Sequence, residues 1–236
     1  LVHREIVSYG WILAGLALRA VIGYPMGVYA PMTAMPQPIA TSHMFGAVAA
    51  TVVGVAEFYH LNGTGRLGQG QMAALGFEVL FGALTITGGF MAFGKLQELL
   101  PGRPITFKGQ NVLSVALIGT GLGLMAWLIV NPFNPVAFYA MVGVGLLFGV
   151  SLVLPIGGAD MPVVISLLNS YAGLASSATV FAICNNVVID AGALDGASGF
   201  ILSIVMSKAM NRSFGNVLFG AFGAPPPPSA ATAQDL

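Results

Sequence analysis

The chain has 236 residues, 56% of them hydrophobic and 7% charged, with zero formal charge and a mean hydropathy of +0.88. A soluble domain carries about 25% charged residues, so the composition excludes a water-soluble globule and predicts a polytopic membrane protein. Eight basic and eight acidic residues leave no basic footprint for nucleic acid.

Apolar runs of about 20 residues, long enough to span the hydrocarbon core as helices, are the unit to count. Seven are expected: Gly10–Ala30, Pro38–Tyr59, Met72–Phe93, Val112–Val130, Val136–Pro155, Pro162–Cys184 and Val187–Met210. They are twice the length of barrel strands and do not alternate in hydropathy. The fold class is therefore all-α, a polytopic membrane helix bundle. No signal peptide is visible, and the chain reads as one piece of a longer protein. Lys95, Arg103, Lys108, Lys208 and Arg212 fall on one side of an alternating seven-helix path, and Arg4 and Arg66 on the other. This asymmetry predicts an N-terminus outside and a C-terminus on the cytoplasmic or matrix side. Residues 1–223 form the expected transmembrane domain. Pro225 to Pro228 within 224–236 read as an extended, semi-rigid spacer. The single cysteine, Cys184, excludes an intramolecular disulfide and a cysteine metal cluster. Among 32 glycines, Gly145 with Gly149, and Gly192 with Gly196 and Gly199, predict close helix packing.

Polar residues inside such helices are costly and therefore informative. Gly157-Gly158-Ala159-Asp160-Met161-Pro162 leads into the sixth helix, with the proline suited to a first turn. On that helix Ser166, Asn169, Ser170, Gly173, Ser176 and Ser177 share one face, which must meet other helices or a wet cavity. His43 lies within the second helix. Its imidazole suits proton transfer, and a histidine satisfied by a neighbouring helix is an equal alternative on pattern alone. Asn169 can orient water or a histidine, or act as packing glue. Glu57 and Glu78 are read as snorkelling to the outer interface, and Asp190 as interfacial. Arg19 and Asp195 sit at matching depths in the first and seventh helices and are expected to pair.

Taken together, several motifs become specific. Phe93-Gly94-Lys95-Leu96-Gln97, Gly157 to Val164, Leu168-Asn169-Ser170-Tyr171, Gly192-Ala193-Leu194 and Lys208-Ala209-Met210-Asn211-Arg212-Ser213 follow one another in order. In this the chain resembles the beta subunit of proton-translocating NAD(P) transhydrogenase, over its last seven membrane helices, from about Gly10 to Gly223. The resemblance implies a pump that couples hydride transfer between NAD(H) and NADP(H) to proton movement. Met32-Thr33-Ala34-Met35-Pro36 precedes His43 as the family's short motif precedes its membrane histidine, so His43 takes the proton-carrier role. By the same resemblance Asn169 and Ser198 belong to the proton path, and Asp160 and Arg212 to coupling with an NADP(H)-binding domain. Ala34, Pro38, Ala172, Leu174, Ala197, Arg19 and Asp195 depart from the family pattern.

The implied chain binds no cofactor itself. NADP(H) and NAD(H) would sit in the complete enzyme, whose other membrane helices, nucleotide-binding domains and second copy are the implied partners. An inner membrane is the implied location. Two other readings stand beside this one. A secondary transporter would show inverted repeats, and a structural anchor of a redox complex would surround His43 and Asn169 with dry packing.

Overall fold

The computed structural model describes residues 9–65, 67–183, 186–211 and 214. Among the described residues seven helices follow in order: α1 Tyr9–Tyr29, α2 Pro36–Thr64, α3 Gln69–Leu96, α4 Gln110–Val130, α5 Pro135–Val153, α6 Met161–Ile183 and α7 Asn186–Ala209. Short 3-10 turns, Met32–Ala34 and Gly158–Asp160, lead into α2 and α6. All seven regions contain a span long and apolar enough to cross a membrane. No strand occurs among the described residues.

Helix ends are set by local bonding rather than by hydropathy, which is why α2 and α3 run longer than their apolar stretches. His60-Leu61-Asn62-Gly63-Thr64 stays helical after Tyr59, with the Thr64 hydroxyl donating to the carbonyls of His60 and Leu61. The helix stops only at Gly65, whose φ of 65° suits the left-handed C-cap that a glycine adopts without strain. At the start of α3 the Gln71 side chain accepts from the Gly68 amide at 3.1 Å, which starts the helix three residues before Met72. Asn134 caps α5 by accepting from Val136 and Ala137 amides, ahead of Pro135 in the first turn.

The α3 helix is the axis of the bundle and packs against α2, α4, α5 and α6. Two apolar clusters lie along it. One gathers Ala40, Leu84, Ala92, Leu152, Val153, Met161, Val164 and Leu168 around the end where α5 turns into α6. The other gathers Phe58, Met72, Val79, Leu80, Phe138 and Met141 towards the opposite end, with Phe58 and Phe138 stacked at 4.0 Å. Small residues let the backbones approach, as expected in lipid. A methyl added at Gly145 would lie 2.9 Å from the Leu80 carbonyl oxygen, and one at Gly173 would lie 2.5 Å from the Gly196 nitrogen. Helix α7 packs along α6 through this second contact, while α1 buries none of its residues.

Candidate functional site

Helix α2 enters the bundle beside the end of α3, where the Gln37 side-chain amide donates to the Leu96 carbonyl at 3.3 Å. Seven residues beyond Pro36, at about 10 Å along the axis, His43 is half-buried. Ala40 and Ala47, one turn to either side on the same face, are covered completely or nearly so. Ala40 belongs to the same buried cluster as Val164, Ile165 and Leu168 of α6. His43 and Asn169 therefore lie at a similar level of the bundle.

Asn169 turns towards α7. A methyl at Gly199 would come within 2.9 Å of its side-chain nitrogen. The rest of the predicted polar face does meet other helices: Ser166, Ser170 and Ser177 are buried. Ser166 and Ser176 donate to their own helix backbone, and Ser177 crosses to the Ile189 carbonyl of α7 at 3.2 Å. Asn169 is thus the amide on a face whose hydroxyls are largely occupied.

The structure places Asp195 on α7 with its side chain exposed. It shows no ion pair between Asp195 and Arg19 among the described residues, and Arg19 sits on the uncovered surface of α1. Ser198 is exposed and donates to the Asp195 carbonyl at 2.9 Å, within its own helix.

Asp160 ends the 3-10 turn before α6, its amide bonded to the Gly157 carbonyl at 3.0 Å. That loop is clamped from two directions. The Gly158 amide donates to the Gly102 carbonyl at 2.7 Å, and Ile105 donates to Leu154 at 3.2 Å. From α3, the Lys95 ammonium donates to the carbonyls of Val153, Leu154 and Ile156. Its side chain is only 2% exposed. A cation against the last carbonyls of a helix satisfies orphan acceptors and meets the negative end of the helix dipole. The sequence marks Lys95 as a basic residue at a helix end and does not reveal this plug. Arg212 and the 224–236 spacer lie outside the described residues.

Glu78 overturns its sequence reading. It does not snorkel to an interface but is fully buried where α3 faces α2. The cause is its position ten residues into a helix that begins earlier than its apolar run, on the face that packs against Gly54.

Residues 1–235 match the family model described as NAD(P) transhydrogenase beta subunit. The chain belongs to that family. It is 38% identical over 229 residues to the NAD(P) transhydrogenase subunit beta of Rhodospirillum rubrum, covering 95% of this chain and 49% of that subunit. The same identity and coverage hold for the subunit from a designated strain of that species. The chain thus spans about half the length of the curated relatives it matches.

Membership in the transhydrogenase beta subunit family raises the question of a dinucleotide. A nicotinamide dinucleotide is usually cradled by a glycine-rich turn between a strand and a helix. No strand exists among the described residues, so they do not fit that group, and no hydride step is assigned to them.

Proposed function

We propose that this chain is the proton-conducting membrane part of a transhydrogenase that couples hydride transfer between NAD(H) and NADP(H) to proton translocation. One observation carries the reading: a half-buried imidazole lies within a membrane-spanning helix, with an amide at its own level on a neighbouring helix. An ionisable group at membrane depth costs about 2.5–3.5 kcal/mol on insertion scales.

On this reading His43 takes up and releases the proton, and Asn169 orients the imidazole or its water. Ser198 belongs to the same path through α7. Asp160 and Arg212 meet the NADP(H)-binding domain beyond the 224–236 spacer, and the Lys95 clamp sets where Asp160 stands. The hydride chemistry belongs to the cofactors on that domain and on an NAD(H)-binding partner. Further partners are the remaining transhydrogenase membrane helices and a second copy of the whole enzyme. The location is an inner membrane, with the N-terminus outside and the C-terminus on the cytoplasmic or matrix side.

Coupling then follows from linkage. Whatever factor NADP(H) occupancy applies to proton affinity at His43, protonation applies to NADP(H) affinity. The test is His43→Ala in the complete enzyme reconstituted in vesicles. Proton uptake and coupled turnover should fall by about 10²-fold or more, the scale of a lost acid–base group, with the helix content intact. Normal pumping by that variant removes the proposal.

A further inference from the structure

The mechanism above leaves one membrane-depth carboxyl unused. Glu78 has no exposed surface, and its placement follows from the seam between α2 and α3. A methyl added at Gly54 would lie 3.0 Å from both the carboxyl carbon and one carboxyl oxygen of Glu78. The carboxyl occupies a notch that exists because residue 54 has no side chain.

Gly54 lies eleven residues after His43, very nearly three helical turns, so the notch and the imidazole project from α2 at almost the same azimuth about 16 Å apart. Two hydroxyls are buried in the intervening seam. Thr51 belongs to α2 and lies against Gly82, and Thr85 belongs to α3, two turns from Glu78. Each donates to a carbonyl of its own helix, Thr51 to Ala47 at 2.8 Å and Thr85 to Phe81 at 2.7 Å, which leaves hydroxyl lone pairs to accept. His43 is the group nearer the Asp160 end, and Glu78 is nearer the opposite end, about 14 Å from the start of α3.

We infer that Glu78 is a second proton-binding group, linking His43 to the membrane face remote from Asp160. This rests on the pump reading. In the step, a proton leaves the Glu78 carboxyl, passes along the seam and adds to a ring nitrogen of His43. The products are a carboxylate and an imidazolium, no electron moves, and the return step reverses it. The charged and titratable groups on the elements packed against α3 are few. Helix α2 offers His43, Glu57, Tyr59 and His60, α5 offers Tyr139, and α6 offers Tyr171 against Phe81. Helix α4 offers none, the Gly158–Asp160 turn offers Asp160, and Lys95 of α3 is engaged at that same far end.

The test uses the complete enzyme in vesicles with a pH-sensitive dye, comparing wild type, Glu78→Gln, Glu78→Asp and His43→Ala. Glu78→Gln keeps the shape and removes the exchangeable acid, and pumping should fall about tenfold or more. The nucleotide KM should stay unchanged. Glu78→Asp should recover part of the rate with a displaced pH profile. Glu78→Gln pumping at the wild-type rate, while His43→Ala does not, overturns the Glu78 assignment and leaves the pump standing. Equal losses in both Glu78 variants with an unmoved pH profile also overturn it, since that marks a packing role. If Glu78→Gln fails to assemble, Glu78→Asp decides by its pH profile alone. Normal pumping by His43→Ala overturns the pump reading, and this inference with it.

Discussion

At the residue scale, a lone ionisable side chain in an apolar run announces that it matters but not what it touches. His43 stood out in the sequence because an imidazole amid Ala, Gly and Met is costly at membrane depth. The plug made by Lys95 was not, because its acceptors lie 58 to 61 residues away in the sequence. Burial of Glu78 was hidden for the opposite reason: apolar length alone put the start of α3 too late and so put the carboxyl too near the interface. Two predictions belong here. Lys95→Met leaves three carbonyls at the α5 terminus without their donor and should cost about 2–4 kcal/mol. Thermal inactivation in detergent should therefore begin well below the wild-type temperature. On the proposed pump reading, losing the membrane-depth carboxyl of α7 in Asp195→Asn should slow pumping in reconstituted enzyme, while Arg19→Ala on the uncovered α1 leaves it unchanged. The reverse result would favour the Arg19–Asp195 pairing that depth alone suggested.

Among the elements, small residues decide which helices can touch. Glycine positions on α5, α6 and α7 gave away the tight seams in advance, since three- and four-residue spacing aligns them on one face. What spacing could not show was which partner each seam meets. Gly149 meets the backbone of α3 at Leu84 and Gly88, whereas Gly143 on the same helix has open space around it. Gly149→Val should therefore cost about 1–3 kcal/mol or more by overpacking. Gly143→Ala should stay within about 0.5 kcal/mol of wild type. Unfolding by a mild denaturant, followed through tryptophan fluorescence, reads both. The same scale explains the length errors: turn residues such as Gly65 end helices, and hydropathy does not.

For the whole molecule, the number of spans was readable because lipid permits few alternatives: backbone groups must be paired within the segment. Which helix would form the axis was not readable, because burial does not follow apolarity: the α3 span is less apolar than those of α4 and α5 yet more buried than either. In the structure 61% of the α3 span is buried and none of the α1 span. The α6 span is buried to the same extent, so amide hydrogen exchange in detergent should be slowest in α3 and α6 and fastest in α1. A uniform rate across the seven helices would contradict the arrangement.

The position of α3 carries a mechanical consequence. Its carboxyl-bearing half rests in a notch of α2, and its ammonium-bearing tip is keyed into the α5–α6 corner. A rigid rod held at two such points and tilted about its glycine-rich middle swings its two tips in opposite senses. Loosening the notch at one membrane face would then displace the corner at the other, and on the proposed pump reading a single small tilt would both change a proton's access and carry that change to the Asp160 turn.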